Sequence, residues 1–363
     1  MSPASSERAL AAPWLEEIRR LAGSLGREVR IMEVCGTHTV SIRRAGLRSL
    51  LPDNVRLLSG PGCPVCVTPA GYIDLALSLL DQPGLILATF GDMLKVPGAS
   101  GASLASRLGS GRLRILYSPA ELPRLARGAA GPVVFLGVGF ETTAPTVAAA
   151  FLQAAREEID NLYLFTAFKT VPPALRALLS DPQSRLDAFL LPGHVSAILG
   201  LEPYRFLEKA GGLPGAVTGF EPLDLLQGIL ALLRQLAAGT RRIENAYPRV
   251  VRAGGNPRAR EVLAQLLEPE DALWRGLGLI PESGLRLRER YRGLDAVARF
   301  GLPPVWNSEP PGCGCARVLL GRLESEACPL FGRSCTPESP IGPCMVSSEG
   351  SCAAAFRYGE VRA

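Results

Sequence analysis

Between about residue 30 and residue 240, short apolar runs rich in β-branched residues alternate with stretches whose apolar positions recur at helical spacing. Such runs, bounded by Gly, Pro and polar residues, read as buried strands, and their alternation with helices reads as β-loop-α units of a mainly parallel sheet. Eight strands are predicted: "VRIMEV" from Val29, "VRLLSG" from Val55, "LILATF" from Leu85, "LRILYS" from Leu113, "PVVFLGVGF" from Pro132, "LYLFTAF" from Leu162, "AFLLPG" from Ala188 and "GAVTGF" from Gly215. Ahead of them, residues 8–24 form one amphipathic helical pattern. After Thr240 the texture changes, with "GGN" as a turn and "PRAREVLAQLL" as a helix started by proline. From Gly301 onward Pro, Gly, Ser and Cys dominate and no periodicity survives, so this segment needs covalent or metal crosslinks to hold its shape.

The eight strands divide four and four, and the two sets look alike. "IMEVCGTHT" matches "FLGVGFETT", "ILATFGDMLKVPG" matches "LYLFTAFKTVPP", and "LLSGPGCPV" matches "FLLPGHVSA", with the order of the last two pairs exchanged between the halves. The expected fold class is therefore α/β, with two similar parallel-sheet α/β domains, 27–130 and 131–240, facing each other across a cleft lined by strand C-terminal loops. The remainder, 241–363 together with the N-terminal helix 8–24, makes a third, Cys-rich domain.

A chain of 363 residues that is 47% hydrophobic is long enough for several real cores. The formal net charge of +5 is scattered, and no basic stripe suited to nucleic acid or an anionic membrane stands out. No signal-peptide pattern opens the chain and no apolar run approaches the roughly 20 residues that span a bilayer. These features place the protein in the cytoplasm, where cysteines are more often ligands or redox groups than structural disulfides.

The nine cysteines fall in two patches: Cys35, Cys63 and Cys66 early, then Cys313, Cys315, Cys328, Cys335, Cys344 and Cys352. Cys35 closes a predicted strand, and a helix starting just after it would aim free N–H groups at the sulfur and favour the thiolate that a nucleophile or metal ligand needs. The spacing in "GPGCPVC" allows a reducible disulfide or two ligands on one metal. A structural zinc site would want a second pair nearby, and none is there. In the C-terminal array long gaps replace the paired knuckles of zinc sites, which favours a [4Fe–4S] cluster on four of the six thiols over zinc. The two left over are able to pair, giving a dithiol beside an electron carrier.

Only two histidines occur, His38 in "CGTHT" and His194 in "LPGHVS", and both lie in strand-end loops. Three lysines stand against thirty-six arginines, and Lys95 and Lys169 share a loop position ahead of Val-Pro. A phosphate-binding reading of these loops is weak, because neither a Walker A nor a G-x-G-x-x-G pattern is present.

The motifs "EVCGTHT", "SGPGCPVCVTP", "FGDMLKVPG", "GFETTAP", "FKTVPP", "PGHVSAILG" and "CPLFGRSCTPESPIGPCMVSSEG" together resemble one family, HypD, the iron–sulfur scaffold of [NiFe]-hydrogenase maturation, almost from end to end. The resemblance implies two α/β domains around a cleft and a third domain carrying a [4Fe–4S] cluster. It implies a complex with the small chaperone HypC, which holds an iron while that iron acquires two cyanides and one carbon monoxide. Cyanide would come from HypE, working with HypF, and the finished Fe(CN)2CO unit would pass to the hydrogenase large subunit. An electron donor is required.

By motif, Cys35 resembles the family's iron-binding cysteine, Cys63 with Cys66 its cleft redox pair and further iron ligands, and His38 a neighbouring or acid–base residue. The cluster domain also looks like that of ferredoxin-thioredoxin reductase. That analogy assigns Cys313, Cys328, Cys335 and Cys352 to the cluster and Cys315 with Cys344 to a relay disulfide. The competing function is a ferredoxin-dependent protein disulfide reductase, which would share the cluster and bind no extra iron.

Overall fold

The computed structural model describes residues 3–359. All eight predicted strands form: β1 (Val29–Glu33), β2 (Val55–Ser59), β3 (Ile86–Thr89), β4 (Leu113–Ile115), β5 (Val133–Gly137), β6 (Leu162–Thr166), β7 (Ala188–Pro192) and β8 (Gly215–Thr218). Three more follow, β9 (Ile243–Asn245), β10 (Leu267–Trp274) and β11 (Gly278–Leu287). Two sheets are wholly parallel, one in the order β2-β1-β7-β8-β9 and one in the order β4-β3-β5-β6. Helices cover their faces, so β5 and β7 are buried at every position and read as continuous apolar runs.

Each sheet draws strands from both sides of residue 130, so the division into 27–130 and 131–240 does not separate them. The chain leaves the first sheet after β2, builds the whole second sheet from β3 to β6, and returns with β7 beside β1. Register pairs Ile31 with Leu57 on one flank and with Ala188 on the other. This explains the exchanged order of the repeat. β1 and β5 carry the matching signatures and are each flanked by a pair of matching strands, β2 with β7 and β3 with β6. The likeness runs between the central strands of the two sheets, β1 and β5, and between the two strands flanking each of them, not half to half. A boundary at 240 also cuts the first sheet, because β9 pairs with β8.

The N-terminal helix, Pro3–Leu25, belongs to the first sheet and not to the Cys-rich segment. Its Ile18, Leu21 and Ala22 pack into one core with Ile31, Leu57, Leu190 and the helix Pro222–Ala237, and Arg234 holds Glu17 with both guanidinium arms at 3.0 and 2.7 Å. Burying each such Ile or Leu contributes about 1.5–3 kcal/mol, which outweighs any pull toward the polar C-terminal segment.

The antiparallel hairpin β10–β11 escaped the sequence reading because "LEPEDALW" carries a proline and three acids, composition that argues against a strand. It docks on the second sheet through Thr170 N–H to Ser283 O at 2.9 Å. The segment after Gly301 lies over the loops that follow β1 and β2, with helix Ser351–Tyr358 against helix Gly36–Arg44 and the turn Pro343–Val346 against the turn Pro64–Val67. Among the described residues no helix is long and apolar enough to cross a membrane.

Candidate functional site

Cys35 is the N-cap of the helix Gly36–Arg44, two residues past the end of β1, and is buried. The loop after β2 lies directly on it. Gly36 N–H donates to Gly62 O at 2.9 Å, and a Cβ on Gly62 would stand 2.1 Å from the Cys35 nitrogen, so only glycine permits this approach. The same loop carries Cys63 and Cys66. Cys63 Sγ accepts the Cys66 N–H at 3.2 Å, and both thiols are free and buried. Strand pairing thus brings three cysteines from two strand ends together.

The expected helix start is present and the N–H groups of Thr37 and His38 do favour the Cys35 thiolate, yet burial dominates and pushes the thiol up to about 12. Burial also raises Cys66, reinforced by its hydrogen bond with Cys63. The Cys35 and Cys66 thiols hold their protons, and a bound cation is what would release them. Below them, Glu33 accepts from Ser59 Oγ at 2.7 Å and Thr39 Oγ1 at 3.1 Å, and burial lifts it to about 7.

The two histidines separate in role. Because β7 neighbours β1, His194 in the helix Gly193–Leu199 places Nδ1 3.9 Å from Cys35 Sγ. His38, one turn into its helix, points away to the end of β8, where Nε2 lies 3.1 Å from both Gly219 O and Thr218 Oγ1. Burial, with His194 adding to it, pushes His38 down to about 3, and burial takes His194 to about 4. Both rings are neutral near pH 7. An acid–base role for His38 finds no support in this geometry, which makes it a tie between two strand ends. His194 is the residue that sequence reading left out of the site. The pairing of "LLSGPGCPV" with "FLLPGHVSA" was its signal, since both follow strands that flank β1.

Among the C-terminal thiols, Cys315 and Cys344 are joined by a disulfide with Cα atoms 6.4 Å apart. Cys313, Cys328, Cys335 and Cys352 are free and line one small cavity with Leu330, Phe331 and Met345. Gly314 N–H donates to Cys328 Sγ and Ile341 N–H to Cys335 Sγ, each at 3.3 Å. Gly342 leaves room at Cys313, where a Cβ would sit 2.7 Å from the sulfur. Among the described residues no three Cys, His, Asp or Glu side chains converge on one point able to hold a single metal ion. The four thiols surround a volume instead, and amide N–H groups aimed at sulfur are the donor pattern of iron–sulfur cluster cavities.

The two cysteine patches meet. Cys66 Sγ donates to Pro343 O at 3.7 Å, the residue before Cys344, and Thr37 Oγ1 donates to Glu349 Oε1 at 2.7 Å. Cavity, disulfide, Cys63/Cys66 and Cys35 therefore lie on elements packed in succession. A second residue missed in the sequence is Arg275, in the turn of the hairpin. It is buried beside Cys66 and Cys313, its N–H bonds Val67 O at 2.8 Å, and two of its guanidinium nitrogens have no partner among the described residues. The lysines part company: Lys95 is exposed and Lys169 is buried in a separate cavity.

Comparison with known proteins agrees with these motifs. Residues 9–359 match the model of the HypD family, described as the hydrogenase formation hypA family. The chain is 46% identical to the hydrogenase maturation factor HypD of Rhodobacter capsulatus, over 98% of this chain and 97% of that one. It is 44% identical to HypD of Azotobacter vinelandii, over 93% and 91%, and 43% identical to HypD of Escherichia coli strain K12, over 95% and 94%. With motifs, strand ends and near full-length similarity in agreement, the chain belongs to the HypD family of hydrogenase maturation factors.

Proposed function

We propose that this hydrogenase maturation factor is a redox-active scaffold on which iron gains its cyanide and carbon monoxide ligands. The observation that carries the reading is that the four-cysteine cavity, which Cys315–Cys344 also lines, packs through Pro343 on Cys66, whose loop in turn lies on Cys35. The cargo iron would bind at Cys35, since thiolates are soft ligands suited to a low-spin Fe(II) carrying cyanide and carbon monoxide, and Cys63 and Cys66 would join it only after a shift of their loop, because the three thiols do not converge on one point. His194 stands beside Cys35 as a neutral imidazole able to take the thiol proton when the metal binds.

Cys313, Cys328, Cys335 and Cys352 are the residues that would hold a [4Fe–4S] cluster. That cluster would supply electrons one at a time. Thiol–disulfide exchange between the 315/344 pair and the 63/66 pair moves two electrons and two protons, breaking one S–S bond as the other forms. Releasing cyanide from a thiocyanate-type sulfur on a partner's cysteine consumes two electrons and yields a thiolate and cyanide, which matches one such exchange. HypC is the partner we assign to the iron-holding complex, HypE with HypF the source of cyanide, and the hydrogenase large subunit the acceptor, in the cytoplasm.

A disulfide beside four free cysteines also suits a ferredoxin-dependent protein disulfide reductase, which needs no cargo iron. Iron and sulfide analysis of the anaerobically prepared chain separates the parts. About four irons and four sulfides per chain are expected for the cluster, lost in Cys328→Ser and Cys335→Ser and kept in Cys35→Ala. Loss of the cluster in Cys35→Ala, or its retention in both serine variants, would overturn the assignment.

A further inference from the structure

The motif "FKTVPP" has no part in the thiol series, and its lysine stands out on composition alone. In a chain with thirty-six arginines and three lysines, a buried cation written as lysine argues that an amine, and not merely a positive charge, is wanted there. Lys169 follows β6, with its N–H on Gly139 O at 3.0 Å and its backbone bridged to Gly284 of β11. Only 4% of the residue is exposed, and its side chain has no hydrogen-bond or ionic partner among the described residues. It lines a cavity of about 680 Å³ between the C-terminal end of β6, the hairpin and the residues around Asp295. Crevices at strand C-terminal ends are where open α/β sheets take ligands.

Most charges in that wall are already satisfied. Arg286 pairs with Glu268 at 2.9 Å, Arg292 with Glu289 at 3.3 Å, and Asp271 accepts the Glu282 N–H at 3.0 Å. Lys169, Glu270 and Asp295 remain without an ionic partner. Glu270 feels Lys169 as an attractive charge, yet the two form no ion pair, so a gap separates them. Burial leaves the set uncomfortable, lifting the Glu270 and Asp295 carboxyls and lowering Lys169 to about 8. Exposed Leu279 and Val297 and half-buried Val305 supply an apolar wall, with Tyr72 stacked on Phe165 at 4.2 Å buried behind it.

We propose that this cavity is a binding site for a small zwitterion of the α-amino-acid class, with its carboxylate on Lys169, its ammonium between Glu270 and Asp295, and an apolar side chain against Leu279 and Val297. One unpartnered cation facing the unpartnered Glu270 carboxylate, with Asp295 beside it capping the next helix through Val297 N–H at 2.9 Å, is complementary to a ligand bearing both charges and mismatched to a simple anion. The site is independent of the cysteines, so its test does not depend on the maturation chemistry.

The experiment uses the full-length holoprotein, titrated calorimetrically with L-leucine, L-phenylalanine and L-glutamate, and with propionate and butylamine as half-ligands. Leucine or phenylalanine is expected to bind at least about ten-fold more tightly than either half-ligand, and Lys169→Met and Glu270→Gln are each expected to weaken binding by about ten-fold or more. A second measurement needs no variant: acetylation of lysines read by mass spectrometry. Bound amino acid should slow modification of Lys169 and leave the exposed Lys95 and Lys209 unchanged. Equal binding of propionate with no effect of Glu270→Gln would reduce the cavity to an anion site. No binding and no protection by any of the three amino acids would overturn the proposal.

Discussion

Gly62→Ala tests the contact that assembles the thiol site. A Cβ there would meet Cys35 N at 2.1 Å, Cys35 Cα at 2.3 Å and the Val34 carbonyl carbon at 2.5 Å, whereas ordinary contact begins at 3.4 Å. The obstacle is backbone on both sides, so the loop after β2 must lift away by about 1 Å. That movement stretches the 2.9 Å bond from Gly36 N–H to Gly62 O beyond useful range. Losing a buried hydrogen bond costs about 1 kcal/mol and overpacking a further 1–3 kcal/mol, about 2–4 kcal/mol in all. For a chain of 363 residues that corresponds to a fall in Tm of about 3–5 °C. Gly109→Ala, where a Cβ meets nothing within 4 Å, is the control. Thermal unfolding followed by near-UV circular dichroism reads the stability, and alkylation with mass spectrometry reads whether Cys35 and Cys63 become accessible. If Gly62→Ala melts within 1 °C of Gly109→Ala with its thiols still protected, the account of how the two loops meet is wrong.

Non-reducing peptide mapping of the folded protein should find Cys315 linked to Cys344, with Cys35, Cys63 and Cys66 alkylated only after unfolding; a Cys63–Cys66 link in the same sample would reverse the resting redox order. Glu141 is fully buried with Oε1 on the Val171 N–H at 2.8 Å and Oε2 unpartnered, and burial lifts it to about 7. The folded state therefore holds its proton longer than the unfolded state, so this group makes stability fall as pH rises from about 4.5 to 7. Glu141→Gln keeps the bond to Val171 and should raise Tm at pH 8 with little change at pH 4.5; equal shifts at both pH values would refute the buried-carboxyl argument. His194→Ala should leave the fold intact while weakening iron retention at Cys35 by about ten-fold, and unchanged retention would show that the imidazole is a bystander.

Eight of the nine strands of the parallel sheets were legible, most of them because burial on both faces gives dense apolar runs that need no knowledge of partners; the short, half-exposed β9 carries no such run and was missed. Sheet membership was not legible, since β2 and β3 follow one another in sequence and part company in space. Only long-range pairing of Ala188 with Ile31 decides it. The same long-range step placed His194 beside Cys35 and turned His38 toward Gly219, reversing what proximity within "CGTHT" suggests. The start of the helix after Cys35 was correct, but its effect on the thiol was not, because burial is invisible in sequence and here exceeds the pull of two N–H groups. Spacing alone left open which C-terminal cysteines pair. The folded chain joins Cys315 with Cys344 and leaves the other four free.

The most direct test of the scaffold account is infrared spectroscopy of the protein made anaerobically together with its maturation partners, paired with iron quantification. The account predicts metal-bound cyanide and carbon monoxide stretches and iron beyond the four of a cluster, both abolished in Cys35→Ala while the cluster remains. Four irons with a reducible disulfide and no such stretches would contradict it and leave the disulfide reductase in its place.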